Sequence, residues 1–450
     1  MTGAQLIGRA VSAAEFLLGL PTPAGVPVPA LVTGNADAIA LLMAGAITDR
    51  PLAPIGTRLT TDELAKIVEQ AGSTVVLAEP AHAAVATAIA ARTCTRGITI
   101  PAFAVSKDPL PTFAHNAAFV LHTAGTTGNP KPVPITDAVI RDRSRMLQQL
   151  IGFSTSTIFA TGSPIHHVGG IGNLLAALTA GGAATATQRF TATWWSGLAR
   201  IGVTHVLLVP TMIEMLLSWG VLDKTALTTL IYGAAPIRPQ TVGRILNLLP
   251  STDLVQLFGQ TEGSPITCLQ ADDHRRALAQ PDLLETVGRA VPGLQLRIAS
   301  SQHSAVGEVL AAAPHLAGTA SDGWLYTGDV GEIDADGYLR LRGRLDDRII
   351  RGGENVYPTE VENIIAGHPE VGSVGVVGVP ETRLGETIAA FIVPTDREQP
   401  PSQDELHTWS RRRMAGFKVP AHWHIVDELP LNAAGKLLRR DLRRLHLEKN

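Results

Sequence analysis

An apolar run from Ala117 to Leu121 leads into Thr123-Ala124-Gly125-Thr126-Thr127-Gly128-Asn129-Pro130-Lys131, and no other stretch constrains the chain as strongly. A strand that feeds a loop of small hydroxyl residues, glycines and one lysine is suited to hold phosphate. Gly125 and Gly128 let the backbone come close and present its N–H groups. The hydroxyls of Thr123, Thr126 and Thr127 can donate to phosphate oxygens, and Lys131 adds a cation. The loop is not a Walker loop, because Gly-x-x-x-x-Gly-Lys-Ser/Thr does not occur. Taken alone, the nonamer also reads as a Gly/Thr-rich surface turn.

Short apolar strands alternate with capped helices around this loop. Residues 35–46 read as a helix, as do 62–71, capped by Thr60 or Thr61 and striped by Leu64, Ile67 and Val68. Residues 73–78 form a buried strand. Further on, helices at 137–150, 211–219 and 239–249 separate strands at 158–161, 204–210, 229–232 and 254–257. This alternation predicts an α/β fold whose mixed or parallel sheets are flanked by helices. At the front, Pro21, Pro23, Pro27 and Pro29 are expected to break any helix within residues 1–28.

A length of 450 residues corresponds to roughly two to three domains. Hydrophobic content of 45% against 17% charged residues describes a globular chain, not a disordered one. Thirty-seven basic and 40 acidic residues leave a net charge of −3, so no global field favours nucleic acid or an anionic membrane. Cys94 and Cys268 lie far apart and fit a reducing compartment. Neither a secretory leader nor a spanning apolar run is apparent, and a cytoplasmic location is expected.

Other stretches carry chemistry more weakly. His167 follows Pro164 at a strand end, where ligands of α/β sheets bind, although a lone histidine is commonly structural. Gly233-Ala234-Ala235 at another strand end would admit a flat ring, or would simply turn. Phe258-Gly259-Gln260-Thr261-Glu262 offers a carboxylate beside a hydroxyl, or a helix cap. Thr327-Gly328-Asp329 ends in a carboxylate able to accept two ribose hydroxyls. Asp334 and Asp336 faintly suggest a calcium loop, but the remaining ligands are missing.

In order along the chain, these stretches resemble the signatures of the adenylate-forming family of acyl-CoA synthetases and other AMP-binding enzymes. The loop at 123–131 is similar to Thr-Ser-Gly-Thr-Thr-Gly-x-Pro-Lys-Gly, with Ala124 in place of serine and Pro132 in place of the last glycine. Residues 258–262 resemble Tyr-Gly-x-Thr-Glu, and 323–329 resemble Gly-Trp-x-x-Thr-Gly-Asp. Residues 343–358 match the family's domain boundary, and 430–436 match Pro-x-Thr-x-x-Gly-Lys with Asn432 at the threonine.

The resemblance implies a large N-terminal domain, 1–342, holding ATP and an acid. A small mobile α+β C-terminal domain, 343–450, would turn on a hinge near Asp346. It implies that Phe258, with Gly233, Ala234 and Ala235, lies at the adenine. Thr261 would touch the α-phosphate, Glu262 would hold Mg²⁺, and Asp329 and Arg344 would hold the ribose. His167 would lie beside the acyl pocket. Gly352 and Gly353 would line a pantetheine channel, and Lys436 would bridge the acid carboxylate and ATP.

The implied activity is conversion of a carboxylic acid into an acyl-adenylate, followed by transfer to coenzyme A. The alternatives are loading of a carrier-protein pantetheine and a catalytically weak nucleotide-binding relative. Few charged residues surround 164–173, 233–236 and 258–267, which points to an apolar or aromatic acid. Neither nucleic acid nor membrane is an expected partner, and self-association is left open.

Overall fold

A parallel strand covered on both faces must be apolar throughout, and Val28–Leu31, Leu52–Ile55, Val75–Ala78 and His205–Leu208 are buried at every position. The computed structural model describes residues 1–57, 59–109, 117–124, 130–187, 189–299, 305–431 and 437–449. It divides into two compact units, Met1–Gln295 with Ala311–Leu325, and Leu296–Leu310 with Tyr326–Asn450.

The first unit holds two sheets. One runs, edge to edge, Arg96–Thr99, Val75–Ala78, Val28–Leu31, Leu52–Ile55, Ala117–Ala124 and Pro130–Thr136. Its strands are parallel except the last, which turns back antiparallel on Ala117–Ala124. The other sheet places Asp253–Phe258, Thr229–Gly233, His205–Leu208, Ile158–Thr161 and Ala183–Ala186 in parallel. Thr267–Leu269 and Arg289–Ala290 are added antiparallel at one edge. Leu64, Ile67 and Val68, read from the sequence as one helical stripe, pack in the core beneath the first sheet. Their helix, Thr61–Ala71, is closed by a Thr60–Glu63 capping box and by Gly72 at φ 64°.

The expectation that prolines exclude helix from residues 1–28 is corrected. A helix spans Gly3–Leu18, opened by a Thr2–Gln5 capping box and finished before Pro21. The prolines end this helix but do not prevent it, because all of them lie beyond its last turn. Ala10, Ala13, Ala14 and Leu17 form its buried face.

The second unit carries strands Leu325–Ile333 and Leu339–Arg344 as an antiparallel pair. Asp334 accepts from the backbone N–H of Asp336 and Tyr338 at 3.0 and 2.9 Å, so its carboxylate shapes the turn at Gly337. Further strands, Val371–Glu381 and Gly385–Pro394, form a long antiparallel ladder joined by Ile349–Arg351 and His422–Ile425. Arg439 is sunk against this ladder. It donates to both carboxylate oxygens of Glu362, to Asp347 at 3.2 Å and to the Val376 carbonyl at 2.7 Å. Among the described residues, no helix is long and apolar enough to cross a membrane.

Two stability outcomes follow. His274 is fully buried; its Nδ1–H donates to the Gln270 carbonyl at 2.8 Å, and the Tyr232 hydroxyl donates to its Nε2 at 2.7 Å. Burial pushes its pKa from 6.5 to about 4, and does the same to His122. The unfolded chain therefore takes up protons that the folded chain refuses. Stability is retained above about pH 6.5 and lost between there and about pH 4, with a slope approaching about 1.4 kcal/mol per pH unit for each histidine. Urea midpoints measured across that range check this, and His274→Gln flattens the slope by close to one proton. Separately, Arg439→Ala leaves Glu362 buried without its partner. It is expected to lower the opening free energy of Val371–Glu381 by about 3–5 kcal/mol, read by amide exchange.

Candidate functional site

The strand Ala117–Ala124 pairs with Pro130–Thr136, placing Thr123 opposite Lys131. The Thr123 hydroxyl lies 3.5 Å from the Lys131 carbonyl. Lys131 thus stands on a paired strand. Gly125, Thr126, Thr127 and Gly128 lie outside the described residues. Pro130, Pro132 and Pro134 alternate along an edge strand. At every second position they can all occupy sites whose N–H would point away from the ladder, so no pairing bond is lost. That accounts for Pro132 where the family pattern has glycine.

Asp253–Phe258 ends in a tight turn in which the Gln260 N–H donates to the Gly263 carbonyl at 2.7 Å, with the reverse bond at 3.0 Å. The turn presents Thr261 and Glu262, both half-buried. A Glu262 carboxylate oxygen lies 3.9 Å from the Lys131 ammonium. The Lys131 strand of the first sheet and the Thr-Glu turn of the second therefore bring opposite charges together. The lysine is largely exposed, so the pair is a weak stabiliser. It is an open arrangement of cation and anion into which a polyanion with its metal could enter.

Sequence reasoning missed Arg143, which donates to the backbone carbonyls of Thr261 and Glu262 at 3.2 and 3.0 Å. Its signal was present, because it interrupts the buried stripe Val139, Leu147 and Ile151 of the helix Asp137–Ile151. Burial lowers its pKa to about 10, opposed by the charge of Glu262.

Beside this turn, Gly233 ends a strand that runs against Asp253–Phe258. A Cβ at Gly233 would sit 2.1 Å from the Leu257 carbonyl oxygen, so the close approach admits only glycine. Ala234 follows at φ 67°, in the left-handed region, and is exposed together with a half-buried Ala235. Phe258 is half-buried at the neighbouring strand end.

His167 stands at the N-cap position of the helix Val168–Thr179 without a side-chain capping bond, and the first turn of that helix contains Gly169 and Gly170. A Cβ at Gly170 would fall 2.3 Å from the Pro164 carbonyl, so this glycine lets the helix start against the preceding segment. The His167 ring lies 4.4 Å from that of His166. Its Nε2 is buried and has no hydrogen-bond partner among the described residues. Burial lowers its pKa, favouring the neutral ring. Phe190 and Met212 approach Gly162, and Leu207 approaches Gly169, while Asn173 donates to the Gly169 carbonyl at 3.1 Å.

In the second unit, Asp329 and Arg344 are directly opposite on adjacent strands. Their charged groups meet at 3.2 Å, and Arg344 also donates to the Thr327 carbonyl at 3.0 Å. Asp346 lies in the exposed turn that follows. Gly352 and Gly353 make the exposed turn between Ile349–Arg351 and Glu354–Val356, with φ 60° and 88°. Arg351 braces that turn by donating to the Phe417 and Val419 carbonyls. Lys436 lies outside the described residues. Leu431 and Leu437, on either side of its segment, pair in a β-bridge.

The family model for AMP-binding enzymes matches residues 1–319, and that for the AMP-binding enzyme C-terminal domain matches residues 360–436. The chain is 33% identical over 430 residues to the fatty acid–[acyl-carrier-protein] ligase ScoC of Streptomyces coeruleorubidus, covering 87% of this chain and 81% of that one. It is 31% identical over 417 residues to a feruloyl-CoA synthase of an Amycolatopsis species, covering 87% and 83%. The crystal structure of ATP-bound MatB from Rhodopseudomonas palustris superimposes with a TM-score of 0.88 at 25% identity, covering 98% of this chain and 93% of that one. The chain belongs to the AMP-binding, adenylate-forming enzyme family.

Proposed function

We propose that the chain activates a carboxylic acid with ATP as the acyl-adenylate and then transfers the acyl group to the thiol of coenzyme A. The observation that carries this reading is the Lys131–Glu262 pair, a cation from the phosphate hairpin facing a carboxylate from the Thr-Glu turn. The acid's oxygen bonds to the α-phosphorus as the bond to pyrophosphate breaks. The thiol sulfur then bonds to the acyl carbon as AMP leaves, and its proton passes to solvent. Both steps depend mainly on positioning and on neutralising phosphate charge.

Thr123, Gly125, Thr126, Thr127, Gly128 and Lys131 would hold the phosphates, and Thr261 would donate to the α-phosphate. Gly233, Ala234, Ala235 and Phe258 would form the adenine wall. Asp329, held by Arg344, would accept the ribose hydroxyls. Glu262 suits Mg²⁺ as a hard carboxylate oxygen donor, provided that phosphate also draws Lys131 away from it. Among the described residues no group of three or more histidine, cysteine, aspartate or glutamate side chains could hold a metal. An ion at Glu262 would therefore draw its other oxygens from phosphates and water. When bound, Mg²⁺ supplies charge neutralisation at the phosphates.

Lys436 would bridge the acid and the nucleotide in the first step. Rotation of residues 343–450 about Asp346 would then exchange Lys436 for the Gly352–Gly353 turn. The apolar side chains near Gly162 and Gly169 support an aliphatic or aromatic acid beside a neutral His167. The identity with ScoC supports a second acceptor, the pantetheine of a carrier protein.

Pyrophosphate release with ATP and Mg²⁺, measured across aliphatic and aromatic acids with CoA or carrier protein added, tests the reading. Acid-dependent release with a thioester product is expected, and silence across the panel would overturn it. Lys436→Ala is expected to lower acid-dependent release by about 100-fold or more while ATP still binds. Asp329→Ala should raise the KM for ATP by about tenfold and leave that for the acid unchanged, as loss of a charge-assisted hydrogen bond requires.

A further inference from the structure

Arg143 is 5% exposed in the midst of an apolar helical face, yet no carboxylate of the described residues forms an ion pair with it. Its fork is spent on backbone. Nε–H donates to the His315 carbonyl at 2.9 Å, while Nη2 donates to the carbonyls of the successive residues Thr261 and Glu262. The Glu262 carbonyl also accepts from the Ala317 N–H at 2.6 Å. His315 in turn donates its Nε2–H to the Pro265 carbonyl at 2.8 Å.

The turn is therefore pinned at Thr261, Glu262 and Pro265. With both carbonyls engaged, the peptide plane between Thr261 and Glu262 is fixed, and so are the directions in which their side chains leave the backbone. The helix bearing Arg143 begins at Asp137, directly after the strand that carries Lys131. One side chain thus ties the exit of the phosphate hairpin to the Thr-Glu turn. The motifs themselves supply only the weak, exposed Lys131–Glu262 pair at 3.9 Å. Lysine could not replace Arg143, since a single ammonium does not reproduce a rigid fork reaching separate carbonyls.

We propose that Arg143 is a positioning residue for the metal–nucleotide. Its guanidinium holds the Thr261–Glu262 peptide so that the Glu262 carboxylate faces Lys131 in the arrangement that receives Mg²⁺ and ATP. This rests on the reading of Glu262 as the metal ligand given above.

The test uses the full chain and needs no acid. ATP binding is titrated by calorimetry with Mg²⁺ and again in EDTA, and the ratio of the two affinities is the readout. The proteins are wild type, Arg143→Lys, Arg143→Gln, Glu262→Gln and the Arg143→Lys/Glu262→Gln double variant, each with its thermal midpoint measured. Arg143→Lys is expected to reduce the Mg²⁺-dependent gain at least fivefold while binding in EDTA changes less than twofold. The double variant is expected to be no worse than Glu262→Gln alone. A purely structural role would weaken both affinities together.

A Mg²⁺-dependent gain kept within twofold in Arg143→Lys, when Glu262→Gln loses it, overturns the role of Arg143 and leaves that of Glu262 standing. Additive losses in the double variant overturn it too, because Arg143 would then act independently of Glu262. If Glu262→Gln keeps the gain, the metal reading falls and the proposal falls with it. Arg143→Gln, which buries no charge, is the second variant should Arg143→Lys not fold. Failure of both to fold overturns the proposal in favour of a stability role.

Discussion

The arrangement in the first unit depends on a buried cation that bonds to peptide carbonyls. Two sheets contribute to the candidate nucleotide site, and the strand that carries Lys131 is separated from the Thr-Glu turn by more than a hundred residues of sequence. Arg143 bonds the turn after Asp253–Phe258 from a helix that springs from the end of the other sheet. A guanidinium suits this task because it stays charged even when desolvated and aims several donors at fixed angles. Charged donors bind carbonyls more strongly than neutral ones, which helps offset the desolvation that burial imposes. The nearby Glu262 charge acts in the same direction. The second unit uses the same device with a different acceptor set, since Arg439 spans Glu362, Asp347 and a strand carbonyl.

Much of the first unit was legible in the sequence because its signals are local. A parallel strand covered on both faces shows as an unbroken apolar run, and 73–78 and 204–210 contain such strands almost as read. Helix caps at Asn35 and Thr60 are equally local. The strand-end motifs were legible through their family resemblance, and the structure brings Thr123 opposite Lys131, Lys131 near Glu262, and Asp329 opposite Arg344.

What was not legible is non-local or sits where local rules conflict. The first helix was hidden by prolines that lie beyond its end. Pro210, read as the last residue of a strand, instead opens a helix at its first turn, where its missing N–H is harmless. The role of Arg143 depends on acceptors more than a hundred residues away, so the sequence showed only an arginine out of place on an apolar face. Gly170 lies inside a helix and is required by the approach of the Pro164 carbonyl, a contact that no local pattern marks.

The alternating prolines of the edge strand have a thermodynamic consequence for ligand capture. Each fixes its own φ in the unfolded chain as well as the folded one, so Pro130, Pro132 and Pro134 reduce the entropy that pairing this arm removes. Lys131 sits between two of them, on backbone whose conformational range is already narrow. Less freedom remains to be lost there when an anion engages the lysine, and a receptor ordered in advance yields more net affinity from the same contacts. If Lys131 receives the nucleotide phosphates as proposed, proline in place of the family's glycine at 132 would shift its strand from a flexible grip towards a preformed one.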